Sequence, residues 1–302
     1  MSPRDVAASV RQRLLNLARE SGEDFGLVLT RYALERMMYR LSVSTHREQF
    51  VLKGAMLFAL WGNDPHRPTR DLDLLGRGTI DIPRLESVFR EVIGVEVEDD
   101  GLEFLAETVR GERIREDEEY EGVRVYLEAR LAAARIKVQI DVGFGDVVTP
   151  APRETEYPVL LDFPAPRLRA YTRETVVAEK FEAMVKLGVA NTRMKDFYDL
   201  WVMARDFEFD GDLLSRAIKA TFERRVTTLP TGVPLALSDE FSEDPGKAAQ
   251  WSAFLRRIGR TAGDLSLAEV TKSLKEFLLP PAAAAASGGA FDRSWPPAGP
   301  WR

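Results

Sequence analysis

The stretch Val51–Gly76 reads VLKGAMLFALWGNDPHRPTRDLDLLG, and its end decides the fold. Asp71 and Asp73 flank Leu72 and are followed by Leu74 and Leu75. In a β-strand, residues i and i+2 point to one face, so the two aspartates project together while Leu72 and Leu74 face a core. Adjacent carboxylates repel unless a cation lies between them. Hard divalent cations such as Mg²⁺ take oxygen ligands and share them with substrate phosphates. Upstream, Gly54-Ala55 lets a backbone approach a bound group closely. A small-residue turn followed by an Asp-apolar-Asp strand therefore reads as a nucleotide and metal site. The plainer alternative is an edge strand with two solvated aspartates and a glycine that turns the chain.

Outward from that stretch, composition narrows the chemistry. The 302 residues contain no cysteine, which excludes disulfides, thiolate catalysis and cysteine-ligated zinc. With His46 and His66 as the two histidines, any metal should be held by carboxylates. Apolar and charged fractions are those of a soluble globular chain, with no membrane span and no apolar export signal, so a cytoplasmic protein is expected. The net charge of −6 is uneven. Residues 96–121 hold twelve carboxylates against three arginines, a local −9 that leaves +3 for the remainder. The acidic balance does not exclude a local basic face for a polyanion.

Periodicity predicts an amphipathic helix over 4–21 and another over about 25–41, whose arginines (Arg11, Arg13, Arg31, Arg36, Arg40) read as solvated faces. A short strand at Phe50–Leu52, a turn at Lys53-Gly54 and a helix through Leu60 follow, then a turn at Asn63-Asp64-Pro65 and the carboxylate strand over Thr69–Leu75. Ile82–Ile93 reads as a helix, with strands or a short amphipathic segment in the acidic stretch beyond it. Val123–Ala132 and Ala134–Phe144 read as a hairpin. Its second strand alternates strictly: Arg135, Lys137, Gln139 and Asp141 on one face, Ile136, Val138, Ile140 and Val142 on the other. If that strand lies beside Asp71 and Asp73, Asp141 completes a three-carboxylate cluster suited to phosphoryl or nucleotidyl transfer. Otherwise Asp141 is a strand-end aspartate before Gly143.

Proline-rich residues 149–166 read as a hinge between lobes, and the chain beyond Thr172 reads as helical to about Leu279. Within a helix over Arg173–Leu187, Lys180 falls inside the apolar stripe of Val176, Met184 and Leu187, while Glu179, Glu182 and Lys186 lie opposite. In the next helix, about Arg193–Phe207, Asp196 lies in the stripe and Asp199 on its edge. An inward charge must be paired or face a polar cavity. Lys180 and Asp196 therefore form either a buried bridge or a phosphate-binding pair. Arg224 and Arg225, with Arg167, Arg169 and Arg173, offer a basic rim for RNA phosphates, or else simply solvated surface. From Pro280 the composition collapses to Pro, Ala, Gly and Ser, which predicts a flexible tail over 281–302 with Trp295 and Trp301 available to touch a partner.

VLKGAMLFALWG, PTRDLDLLG, IKVQIDVGFGD and YTRETVVAEKFEAMVKLGVANTRMKDFYDLW, in this order over about residues 50–201, resemble the AbiEii/AbiGii-type nucleotidyltransferase toxins, a branch of the polymerase-β-like superfamily. The resemblance implies an α+β fold: N-terminal helices over 1–42, a minimal mixed-sheet nucleotidyltransferase core over 43–170, and a helical lobe over 171–280. It implies Asp71 and Asp73 as catalytic metal ligands, with Asp141 a candidate third, and Lys180 and Asp196 as the later active-site pair. Lys53, Gly54, Ala55, Thr69, Arg70 and Lys180 would line the nucleotide. It also implies Mg²⁺ (or Mn²⁺), an NTP donor, an RNA acceptor such as the tRNA 3′ end whose modification blocks translation, and a cognate antitoxin. The family's turn is usually Gly-Gly or Gly-Ser; Gly54-Ala55 lacks the hydroxyl. A small-molecule acceptor, as in antibiotic nucleotidyltransferases, and a non-catalytic binding module are the competing expectations.

Overall fold

A computed structural model describes residues 3–62, 67–116, 120–260 and 265–302; the turn expected at Asn63-Asp64-Pro65 lies outside them. The chain divides into two compact units, Met1–Gly145 with Arg153–Tyr171, and Asp146–Pro152 with Thr172–Arg302.

The first unit opens with α1 (Pro3–Ser21) and α2 (Phe25–Val43), the latter capped by the Asp24 side chain, which accepts from the Leu27 N–H. Then come β1 (Phe50–Lys53), the short α3 (Phe58–Trp61), β2 (Asp71–Gly76) and α4 (Ile82–Ile93). The long strands β3 (Leu102–Glu116), β4 (Tyr120–Leu131) and β5 (Ala134–Phe144) follow, and β6 (Arg153–Glu156) and β7 (Arg167–Ala170) complete the unit. Among the described residues these strands make one mixed sheet in the order β3-β4-β5-β2-β1-β7-β6. The β2–β5 and β1–β7 pairs are parallel and the others antiparallel. This is the α+β class. The period-2 pattern of β5 is realised: Ile136, Val138, Ile140 and Val142 are buried while Gln139 and Asp141 keep partial exposure.

Two expectations for this unit are corrected. Arg36 and Arg40 are not solvated. Arg36 donates to Asp100 at 3.0 Å and Arg40 forks onto the same carboxylate at 2.6 and 3.1 Å, so one member of the acidic stretch is buried as their counter-ion. A buried charge survives only when so compensated. Nor do residues 149–166 form one loose hinge: β6 and β7 are paired strands, and Tyr157 N–H donates to Pro166 O at 2.8 Å.

The second unit contains α5 (Arg173–Leu187), α6 (Met194–Asp206), β8 (Phe209–Asp210), α7 (Gly211–Arg224), α8 (Asp239–Glu243), α9 (Pro245–Arg257), α10 (Leu267–Ser287) and β9 (Ser294–Trp295). Helix α10 starts on a capping box between Ser266 and Glu269. It runs through Pro280, Pro281 and the alanine run, whose members are strong helix formers. The flexible tail expected over 281–302 is therefore corrected. β9 pairs with β8, the buried Trp295 indole donates to Ala204 O at 2.7 Å, and Trp301 donates to Phe277 O at 3.0 Å. Among the described residues no helix is long and apolar enough to cross a membrane.

Candidate active site

The parallel register of β2 and β5 places Asp73 directly opposite Asp141 and Asp71 opposite Gln139. Leu72, Leu74, Ile140 and Val142 are buried on the other face, which forces the three carboxylates to the open one. One oxygen from each of Asp71, Asp73 and Asp141 lies within 4.8 Å of the others. The Thr69 hydroxyl donates to Asp71 Oδ1 and fixes that carboxylate. An all-carboxylate set with half-buried oxygens fits a hard divalent cation and would not select a soft one.

The turn after β1 closes over the set. Gly54 has φ +77°, and a Cβ there would stand 1.8 Å from Asp73 Oδ2, so only glycine fits both the backbone and the carboxylate. Ala55 opens the short turn that follows. Lys53 pairs across the sheet with Asp73, and its ammonium lies 3.0 Å from where a Cβ on Gly143 would be. The exposed Arg70 immediately precedes β2. On the far side, Arg124 of β4 faces Asp141 in register and holds it by a two-armed fork, Nε to Oδ1 at 2.8 Å and Nη2 to Oδ2 at 2.7 Å. The hydrogen bonds to Asp141 outweigh partial burial and bind the guanidinium's proton more tightly than usual.

In the second unit, α5 and α6 bring a different cluster together. Lys180 Nζ lies 2.6 Å from Asp196 Oδ1 and 2.8 Å from Asp199 Oδ2, and Arg193 Nε is 2.7 Å from Asp196 Oδ2. Both aspartates are fully buried, and Lys180 keeps a 14% exposed side chain. Burial pushes the Asp196 carboxyl up, but Lys180 and Arg193 outweigh it and hold the group below the usual range. Asp199, assigned to the stripe's edge from sequence, is thus an equal partner of Lys180.

The expectation for Arg225 fails here. Glu179 and Glu182 do not face solvent: Arg225 Nη1 donates to Glu182 Oε2 at 2.8 Å, and its Nη2 lies 3.0 Å from Asp146 and 3.5 Å from Glu179. Thr227 adds a 2.5 Å hydrogen bond to Glu182. Arg225 is consequently withdrawn from the expected basic rim, because its charge is spent on three carboxylates. Of the other rim members, Arg167 pairs with Glu156, Arg169 approaches Glu48 and Arg173 covers Phe207; Arg224 is exposed.

A family model described as "Nucleotidyl transferase AbiEii toxin, Type IV TA system" matches residues 36–281. The chain belongs to the AbiEii nucleotidyl transferase toxin family. It is a nucleotidyltransferase of the toxin–antitoxin type, and membership implies an NTP substrate, a divalent metal and a cognate antitoxin. Two solved structures are similar to this AbiEii-family chain. One is of a "putative nucleotidyltransferase" from H. pylori, at 16% identity and TM-score 0.43 over 83% of this chain and 89% of that one. The other is of JHP933 from Helicobacter pylori, at 16% identity and TM-score 0.42 over 83% and 87%. No curated protein matches the chain.

Proposed function

We propose that the chain is a Mg²⁺-dependent toxin that transfers a nucleotide from NTP to RNA, the 3′ acceptor end of tRNA, and thereby blocks translation, its antitoxin partner restraining it. The RNA acceptor puts this activity in the cytoplasm. The observation that carries the metal-dependent transfer is the carboxylate triad on β2 and β5; the RNA acceptor rests on the resemblance.

Asp71, Asp73 and Asp141 would hold the ion, with Mn²⁺ an alternative. A bound divalent ion supplies activation of the attacking oxygen and charge neutralisation for the leaving pyrophosphate. The Thr69 hydroxyl orients Asp71, and the Gly54 turn brings backbone against Asp73 without a side chain in the way. Lys53, Ala55 and Arg70, from the same turn and strand entry, are proposed to meet the donor nucleotide. The acceptor hydroxyl oxygen forms a bond to the α-phosphorus, the bond from that phosphorus to the β-phosphate bridge breaks, and pyrophosphate and one proton leave. Lys180 and Asp196 take their part from the family motif: Lys180 binds donor phosphate. Asp196, ion-paired on both oxygens and held below its usual range, is suited to position that ammonium and unsuited to accept a proton.

Incubation with Mg²⁺, total tRNA and each labelled NTP in turn tests the proposal on denaturing gels. Label in the tRNA band with one NTP, absent with Asp71→Ala, is expected. Label transferred to a small molecule with RNA inert would overturn the RNA acceptor and keep the transferase.

A further inference from the structure

Asp141 carries two demands on the same oxygens. As a member of the triad it offers one to a cation, yet Arg124 donates to both, at 2.8 and 2.7 Å. Gln139 lies at 3.3 and 3.4 Å from them, a marginal contact that cannot replace the fork. The arrangement is built by the sheet: Arg124 and Asp141 are cross-strand partners on β4 and β5, and Asp141 and Asp73 are partners on β5 and β2. Asp141 therefore stands between a guanidinium on one strand and two carboxylates on the other. Its backbone is held by hydrogen-bonded neighbours on both sides, so its place does not depend on the guanidinium. Arg124 keeps about a third of its side chain exposed, at 29%, which leaves room for a rotamer change toward solvent.

We propose that Arg124 is a positioning residue that stands in for the metal: it neutralises Asp141 while the site holds no cation, and gives up at least one oxygen when a divalent ion enters. This rests on the metal-binding reading of the triad. Three carboxylates within 4.8 Å repel one another, and the fork lowers that repulsion. The same fork makes the ion compete for Asp141, so Arg124 lowers the site's affinity for metal alone. The ion then enters favourably when other negative groups, such as a triphosphate, arrive with it.

Calorimetric titration with Mn²⁺ alone, on protein shown to be folded by circular dichroism, tests this. Arg124→Gln should bind Mn²⁺ roughly tenfold tighter or better, the scale of a close charge pair removed. Arg124→Lys, which keeps charge but loses the fork, should fall between. The gain should vanish in Arg124→Gln combined with Asp141→Asn. A merely structural arginine would not yield tighter binding when removed. Wild-type protein that binds Mn²⁺ while the folded Arg124→Gln binds it equally or more weakly would overturn the proposal and leave the metal site standing. Absence of binding in the wild type and in Arg124→Gln would sink the metal reading and this proposal with it. One measurement needs no variant. Mg²⁺ titrated into wild-type protein should shift the Arg124 Nε–H resonance, and a resonance unmoved at saturating bound Mg²⁺ would overturn the displacement.

Discussion

The carboxylates of β2 and β5 and those of α6 are both clustered, yet they are opposite kinds of cluster. The triad is made by strand register, keeps partial exposure, and has Arg124 forked onto one of its three aspartates. On α6 the two aspartates are fully buried, with Lys180 bonded to both and Arg193 closing the remaining side of Asp196. The first presents its carboxylates on an open face of the sheet; the second closes its carboxylates inside the helical unit. Clustered carboxylates are thus ambiguous until their burial is known.

Neutralising one carboxylate in each cluster should separate the two most clearly. Asp71→Ala should lower nucleotidyl transfer by roughly a thousandfold or more, the scale of losing a group that stabilises transition-state charge. Asp71→Asn should leave the metal-free melting temperature unchanged or raised, because it relieves repulsion. Asp199→Ala should instead cost about 3–5 kcal/mol, as removal of one partner of a buried ion pair does. Urea unfolding of both variants without metal checks this, and equal destabilisation would show that the two clusters are alike.

Gly54→Ala sharpens the triad's side. The new methyl meets the Asp73 carboxylate, and φ +77° costs about 1–2 kcal/mol for a residue with a Cβ. Activity should fall further than stability accounts for, which steady-state rates beside a melting curve would show.

Glu35 supplies an intermediate case, buried and only half compensated. Its Oε2 accepts from the Leu160 N–H at 2.8 Å, while Oε1 has no hydrogen bond and Arg36 stands 3.7 Å away. Burial pushes its carboxyl up to about 7. Because the folded value lies above the unfolded one, the native state keeps a proton that the unfolded chain releases. Stability should fall as pH rises from about 4.5 to about 7, by at most ~1.4 kcal/mol per unit, and level off above. Glu35→Gln should remove that decline, gaining over wild type at pH 8 and little at pH 4.5 in melting temperatures across pH.

Much of the triad was legible because its information is short-range. Alternation exposes the face of β5, and Asp71 and Asp73 mark β2. Arg124 was legible in principle: the tight turn after Leu131 sets the hairpin register, and counting back from Leu131 opposite Ala134 leads Asp141 to Arg124. The helical unit was harder. A single apolar stripe assumes one packed side, but α6 meets α5, α9 and α10, so the stripe's edge at Asp199 is as buried as its centre. On α5 the side opposite the stripe carries Glu182, which is buried because Arg225 reaches it. Composition misled at the C-terminal stretch for a related reason: two indoles that find backbone carbonyls anchor a segment whose small residues suggest none.

The short segment Asp146–Pro152 has an effect on how the chain must be made. It leaves the sheet unit after β5 and is tied into the helical unit: Asp146 pairs with Arg225, and Thr149 exchanges hydrogen bonds with Thr175 of 3.0 and 2.8 Å. The chain then returns for β6 and β7 before leaving again. No single cut separates the two units, and a ribosome delivers this segment before any helix that will hold it. Expression of either half alone would leave a strand pair or a docking segment behind, so the enzyme is expected to mature only after most of it has emerged.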